Sequence, residues 1–146
     1  TPAQQALTDP DFRAQALLGE TFSLLDIQRL QLQRGALGSH MRQFMQRFDL
    51  LVTPSVAVPA FEARPAGHSP MNPAAMLGWT PFAYPFNLTQ QPASTVPCGL
   101  TAAGLPIGLQ FVGPMIGDAL VLRASRAYEA ARPAGVDFRR PVALAS

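Results

Sequence analysis

The stretch "NLTQQPASTVPCGLTAAGLPIGLQFVG", residues 87–113, decides how this chain folds. It carries no charged residue. Two apolar runs, 93–97 and 107–113, flank the turn-forming "GLTAAGLP", in which Gly104 suits a positive φ. This pattern predicts two buried strands joined as a hairpin. Just ahead of the first strand stand Asn87, Thr89, Gln90 and Gln91. Polar side chains at a strand mouth either hold irregular backbone in place or rim a pocket. Gln110 lies mid-strand among apolar neighbours and must find partners for its amide if it is buried.

Proline organises the rest. It is missing between Pro10 and Pro54 and dense from Pro54 to Pro97, which predicts helix in the first region and none in the second. The helix should open at "TDPDF", with Asp9 as cap and Pro10 at the first helical position. "RGALGSH" (34–40) predicts a break, with Ser39 capping a second helix. Leu37, Met41, Phe44, Met45 and Phe48 would form the buried stripe of that helix. "DLLVTP" (49–54) reads as a buried strand. Residues 55–85 read as a long irregular loop whose aromatics, Phe61, Trp79, Phe82, Tyr84 and Phe86, need a surface to pack on. "GDALVLRASRAYEAARP" predicts a helix capped by Asp118, with Leu120, Leu122, Ala124, Ala127, Tyr128 and Ala131 on one side. The domain is expected to span residues 1–132, and 133–146 to be a tail. Three short apolar strands make a poor sheet alone. Their character predicts that both faces are covered, as inside an α/β sheet with further strands.

Composition narrows the function classes. The chain of 146 residues is 48% hydrophobic and 14% charged, too apolar for disorder and short of charge for its surface. Part of that surface is therefore expected to be covered by more protein. All eleven basic residues are arginines, scattered without a basic stripe, so nucleic-acid binding has no footprint. No run reaches the roughly 18–20 apolar residues of a membrane span, and the amino end shows no signal pattern. A cytoplasmic protein without a membrane partner is expected. Cys98, the single cysteine, cannot form an internal disulfide, nor a structural zinc site with His40 and His68. No charge stands between Arg64 and Asp118 to activate it, so it reads as a small apolar filler rather than a nucleophile. Ser55, Ser69 and Ser94 lack a Gly-x-Ser-x-Gly elbow, and the glycines of 99–108 lack the lysine of a phosphate loop.

In their order and spacing, Asp49–Ser55, Asn87–Ala93, Val96–Gln110 and Asp118–Ala130 resemble the carboxy-terminal part of the amidase-signature family. That family includes bacterial amidases and the amide-cleaving component of glutamyl-tRNA amidotransferase. The resemblance covers about residues 10–132. It implies an α/β fold: part of a large mixed sheet flanked by helices, incomplete in this chain. The implied chemistry is serine-based hydrolysis of a carboxamide through an acyl-enzyme, without metal or organic cofactor. The family's two serines and lysine belong to an amino-terminal portion. This sequence holds no lysine and no Gly-Gly-Ser-Ser-Gly segment, so no catalytic residue is assigned here and the chain alone is expected to be inactive. The resemblance implies an acyl-side pocket wall from Trp79, Phe82, Phe86, Asn87 and Thr89. The implied partners are a small-molecule amide and either the missing amino-terminal portion or a complementary polypeptide. The alternative is a noncatalytic protein, truncated or one piece of a split enzyme, that binds a partner polypeptide. Gln90 departs from the pattern, standing where the family has glycine, the residue that takes a positive φ freely.

Overall fold

The computed structural model describes residues 1–8, 10–61 and 79–132. Asp9, His68, most of the long loop and the expected tail lie outside the described residues. The elements in chain order are α1 (Pro2–Gln5), α2 (Pro10–Leu18), a 3₁₀ turn (Gly19–Thr21), α3 (Leu24–Met45), β1 (Leu51–Pro54), α4 (Tyr84–Thr89), β2 (Ala93–Leu100), β3 (Pro106–Val112) and α5 (Asp118–Ala131).

The expected hairpin is present. β2 and β3 pair antiparallel, from Ala93 opposite Val112 to Leu100 opposite Pro106. Gly104 turns the chain with φ 78°, and its N–H donates to the Thr101 carbonyl at 2.9 Å. β2 runs past Pro97, where its expected end lay. A register shift between Pro97 and Gly99 takes up Cys98 as a bulge and lets pairing continue. β1 joins the other side of β3, Leu51 opposite Val112 and Pro54 opposite Leu109, so the order is β1-β3-β2.

The ladder fixes where each backbone group points. Ser55 N–H donates to the Gly108 carbonyl and Gly113 N–H to the Pro92 carbonyl, each at 2.9 Å. Alternation then turns the backbone groups of Val52 and Pro54 in β1, and of Ala93, Thr95 and Pro97 in β2, to the outer edges. Each outer edge thus carries a proline with no N–H to offer. The Pro54 carbonyl accepts from the Thr53 hydroxyl at 2.9 Å, and the Pro97 carbonyl from Arg132 Nη1 at 3.3 Å. β1 is an edge strand rather than a buried one: its burial alternates, and Val52 is 49% exposed.

α5 covers one face of the sheet. Val96, Phe111 and Val121 form its buried core, with Leu50, Leu109, Ala124 and Tyr128 packed around them. The Phe111 and Tyr128 rings meet edge-on at 5.9 Å. Ser125 Oγ donates to the Val121 carbonyl at 2.9 Å and lies 2.5 Å from Ser94 Oγ, tying helix to strand. The packed side is therefore Val121, Ala124, Ser125 and Tyr128, spaced i, i+3, i+4 and i+7. The expected side mixed two faces, and Leu122 is 65% exposed. Gly117, not Asp118, occupies the N-cap, and no side chain caps it. Asp118 sits in the first turn, where its charge complements the helix dipole.

The helical region differs from expectation in where it breaks. α3 runs unbroken through 34–40, and the interruption falls at residues 19–23. A capping box sets that start: Asp26 N–H donates to Ser23 Oγ at 3.2 Å, and Ser23 N–H donates to the Asp26 carboxylate at 3.0 Å. Gly35 and Gly38 cost about 1 kcal/mol each inside a helix, too little to stop one already nucleated and packed. Leu37, Met41 and Phe44 of the expected stripe are half-buried and Met45 is buried, whereas Phe48 lies beyond the helix and is exposed.

A helix also forms where none was expected. α4 starts with a proline in its first turn, a position that needs no N–H donor, and ends at Gln90 in the left-handed conformation, φ 60° and ψ 32°. Around the three-stranded sheet these helices make an incomplete α/β unit.

Two outcomes follow from these termini. Gln90→Gly should stabilise the protein by about 1 kcal/mol, seen as a higher denaturant midpoint, because a side chain is strained at this φ. Hydrogen bonds from the Ser23 side chain, then its backbone, lower the Asp26 pKa below its ordinary 3.8. The box therefore stabilises α3 fully above the ordinary carboxylate range and loses that contribution as pH falls through the lowered value. Asp26→Asn should weaken amide protection in the first turn at neutral pH, and the difference from wild type should shrink toward strongly acidic pH.

Candidate functional site

The sheet face opposite α5 carries a polar row beside the fully buried Val112. Thr53, Gln110 and Thr95 are register partners across β1, β3 and β2, so their side chains form one row. Gln110, buried as expected, satisfies its amide: Nε2 donates to Thr53 Oγ1 at 2.9 Å and to the Phe82 carbonyl at 2.8 Å. Ser55 Oγ donates to Thr95 Oγ1 at 3.1 Å, crossing above Gly108. A Cβ on Gly108 would lie 2.5 Å from Ser55 Oγ, so the missing side chain makes this crossing possible.

The segment around Phe82 lies over this row, held by the Gln110 amide. Its start is pinned by Ala57 N–H, which donates to the Trp79 carbonyl at 3.1 Å. Phe61 meets the Trp79 ring edge-on at 5.8 Å. The Thr80 hydroxyl is buried with no hydrogen-bond partner among the described residues.

α4 carries the other candidates. Phe86 is buried, and with Asn87, Gln90, Gln91, Pro92, Met115, Ile116 and Asp118 it lines an open cleft of about 490 Å³. Thr89 is buried and turned elsewhere: its hydroxyl donates to the Pro85 carbonyl at 3.0 Å or to Gln91 Oε1 at 2.9 Å. Gln91 Nε2 in turn donates to the Gly113 carbonyl at 3.0 Å. Thr89 borders a second cleft, of about 280 Å³, between α3 and the 114–115 turn. Arg34 of α3 closes the helix end by donating Nε–H to the Leu88 carbonyl at 2.8 Å.

The sequence candidates are thus brought together in part. Trp79 and Phe82 belong to the segment over the polar row, Phe86 and Asn87 to the larger cleft, and Thr89 to the smaller one. Thr53 and Ser55 entered the sequence reading within the Asp49–Ser55 stretch, Ser55 also as a serine without a nucleophile elbow, and Thr95 within the apolar run 93–97, none of them as a site residue. Their signal was register: only the pairing shows that they share a face with Gln110. Cys98 is half-buried at its bulge, and His40 is exposed on α3. Among the described residues no three metal-ligating side chains cluster, and no helix is long and apolar enough to cross a membrane.

Comparison with known proteins adds to this geometry. The family profile described as Amidase matches residues 12–122. The chain is 38% identical over 118 residues to an acylamidase of Rhodococcus erythropolis, covering 78% of this chain and 24% of that protein. It is 38% identical over 101 residues to the A component of the glutamyl-tRNA(Gln) amidotransferase of Myxococcus xanthus, covering 69% of this chain and 20% of that one. Among solved structures it resembles a bacterial aryl acylamidase of the amidase signature enzymes, with TM-score 0.69 and 30% identity over 80% of this chain and 25% of that one. The chain spans about a quarter or less of the length of these relatives.

Replacing Gln110 by Met keeps its length and removes its donor. The Phe82 carbonyl and the Thr53 hydroxyl then lose their shared partner, a loss of about 1–3 kcal/mol. Chemical denaturation should show that drop, and amide exchange should accelerate in residues 79–83.

Proposed function

The chain belongs to the amidase family, and on that basis we propose that it forms the carboxy-terminal portion of a serine amide hydrolase. The observation that carries this reading is the family match across residues 12–122, from α2 into α5, in a chain that spans only a quarter of its relatives. The sheet supports it, because both outer strands leave backbone groups directed away from β3.

In this reading the complementary portion supplies a nucleophilic serine, a second serine and a lysine. The serine oxygen bonds to the carboxamide carbon while its proton passes by way of the second serine to the lysine. The carbon–nitrogen bond then breaks, and the nitrogen leaves with a proton as ammonia or an amine. Water adds to the resulting ester, and the carboxylic acid departs, returning the serine. No metal or organic cofactor takes part, and the enzyme works in the cytoplasm on a small-molecule amide.

Residues 1–132 contribute the wall. Trp79 and Phe82, on the segment held over the polar row by Gln110, shape the space for the acyl group, while Phe86 and Asn87 line a separate cleft and Thr89 braces α4 through the Pro85 carbonyl. A second reading, a noncatalytic protein that binds a partner polypeptide, is favoured by the exposure of α2 and α3, where Leu17, Leu24 and Leu32 are each more than half exposed.

The test compares the 146-residue chain with the same chain joined to the part of the Rhodococcus erythropolis acylamidase that it does not match. The substrate is an aryl acetamide such as 4-nitroacetanilide, and nitroaniline release is the readout. The joined protein should hydrolyse it and the isolated chain should stay at background. In the joined protein, Phe82→Ala should raise KM roughly threefold to tenfold and change kcat less. Hydrolysis by the isolated, lysine-free chain would overturn the assignment. An inactive joined protein that still binds a second polypeptide would favour the noncatalytic reading.

A further inference from the structure

One buried polar atom has no use in the fold. The Thr80 hydroxyl is closed off from solvent and has no hydrogen-bond partner among the described residues. A hydroxyl buried in that state weakens the fold unless something further bonds to it. The backbone around it is pinned on both sides. Ala57 N–H holds the Trp79 carbonyl at 3.1 Å, and the Gln110 amide holds the Phe82 carbonyl at 2.8 Å. The Thr80 carbonyl is itself engaged by Ala83 N–H at 3.1 Å. Pro81 follows and disfavours helical backbone at Thr80. A buried polar group left unpaired on a fixed segment calls for an explanation, and a ligand is one.

The surroundings limit that ligand's chemistry. Thr80 stands between Trp79 and Phe82, the two aromatic residues of the proposed acyl wall. The row under this segment is neutral, made of Thr53, Ser55, Thr95 and Gln110. No Asp, Glu, Lys or Arg stands between Arg64 and Asp118. A carboxylate or ammonium on the acyl group would find no counter-charge from this stretch, and its burial would be costly. A purely apolar acyl group would leave the Thr80 hydroxyl unpaired. A hydroxyl can donate to Thr80 or accept from it without bringing charge. We propose that Thr80 is a specificity-determining residue whose hydroxyl bonds to a hydroxyl on the acyl group, so that the favoured substrates are amides of uncharged hydroxy acids. This rests on the reading of the chain as part of a serine amide hydrolase, and it adds the acyl class.

The chain joined to the unmatched part of the Rhodococcus erythropolis acylamidase reads the preference. Its substrates are 4-nitroanilides in pairs of equal size: hydroxyacetyl against propanoyl, and 3-hydroxypropanoyl against butanoyl. In at least one pair the hydroxyacyl member should have a kcat/KM about tenfold higher or more. Thr80→Val keeps the shape, deletes the hydroxyl and should cut that ratio about tenfold, whereas Thr80→Ser should keep most of it. The denaturant midpoint of Thr80→Val should match or exceed that of wild type, because an unpaired hydroxyl is removed. A lower midpoint, as an internal partner for Thr80 would cause, overturns the proposal. So does a ratio that Thr80→Val leaves unchanged. Binding is read without catalysis through Trp79, the only tryptophan of the chain and the neighbour of Thr80. The anilides of hydroxyacetic and propanoic acid are titrated into the 146-residue chain against its fluorescence. If the joined protein is inactive, yet the hydroxyacetic anilide binds more tightly and Thr80→Val abolishes the difference, the hydroxyl site stands and the hydrolase reading falls. Equal binding of the two anilides with an inactive joined protein removes both. An active joined protein with no hydroxyacyl preference keeps the hydrolase reading and overturns this one.

Discussion

The described fold hangs on the central position of β3. Its backbone is spent on both sides, alternate residues bonding to β1 and to β2. Its side chains are likewise divided. Phe111 faces α5 and meets Tyr128, whereas Gln110 faces the opposite way and holds the Phe82 carbonyl. A strand with no free edge, buried on both faces from Gln110 to Val112, can be placed only one way, because a slip of one residue would exchange Phe111 for Gln110. An amide would then stand in the apolar core and a phenyl ring in the polar row. That penalty on misregister locates everything packed against the strand.

The same division explains which parts were legible in the sequence. The hairpin could be read because its signals are local: two apolar runs, a glycine with positive φ between them, and a lone amide with an obligation to be satisfied. The start of α3 was equally local. The residues "SLLD" at 23–26 make a capping box, yet the glycines at 35 and 38 are the more conspicuous signal and point to a break that packing overrides. α4 was hidden by proline density, although Pro85 stands where a helix accepts proline. The face of α5 was misassigned because small residues such as Ala127 and Ala131 match either side of a helix. Packing on Phe111 decided it, and that contact is not local. Of the candidate site, the aromatic and amide residues were visible as residue types. Their division between two clefts and a polar row depends on the turn of α4, which no periodicity announces.

Strain is concentrated where the helices meet the sheet. Among the described residues, Gln90 and Ile116 are the non-glycine residues with positive φ, at 60° and 66°. Both border the same cleft as Phe86 and Asn87. Ile116 is β-branched and 90% exposed, so its own side chain gains little burial in return for the conformation. Such positions persist only where surrounding structure over-determines them. The Gln91 amide on the Gly113 carbonyl supplies part of that bracing, since it ties the residue after Gln90 to the start of the turn that contains Ile116.

The prolines at the two outer edges have a consequence for self-recognition. With Pro54 and Pro97 facing outward, neither margin offers an uninterrupted run of donors, and their carbonyls are already occupied by Thr53 and Arg132. Copies of this chain are therefore poor templates for one another's strands, which removes the usual route from an open sheet to stacked, fibrous assemblies. An added strand of other polypeptide would have to bond around these prolines, through the outward groups of Val52 in β1 and of Ala93 and Thr95 in β2. A margin interrupted in this way selects a partner by register, whereas a bare strand margin accepts almost any extended chain.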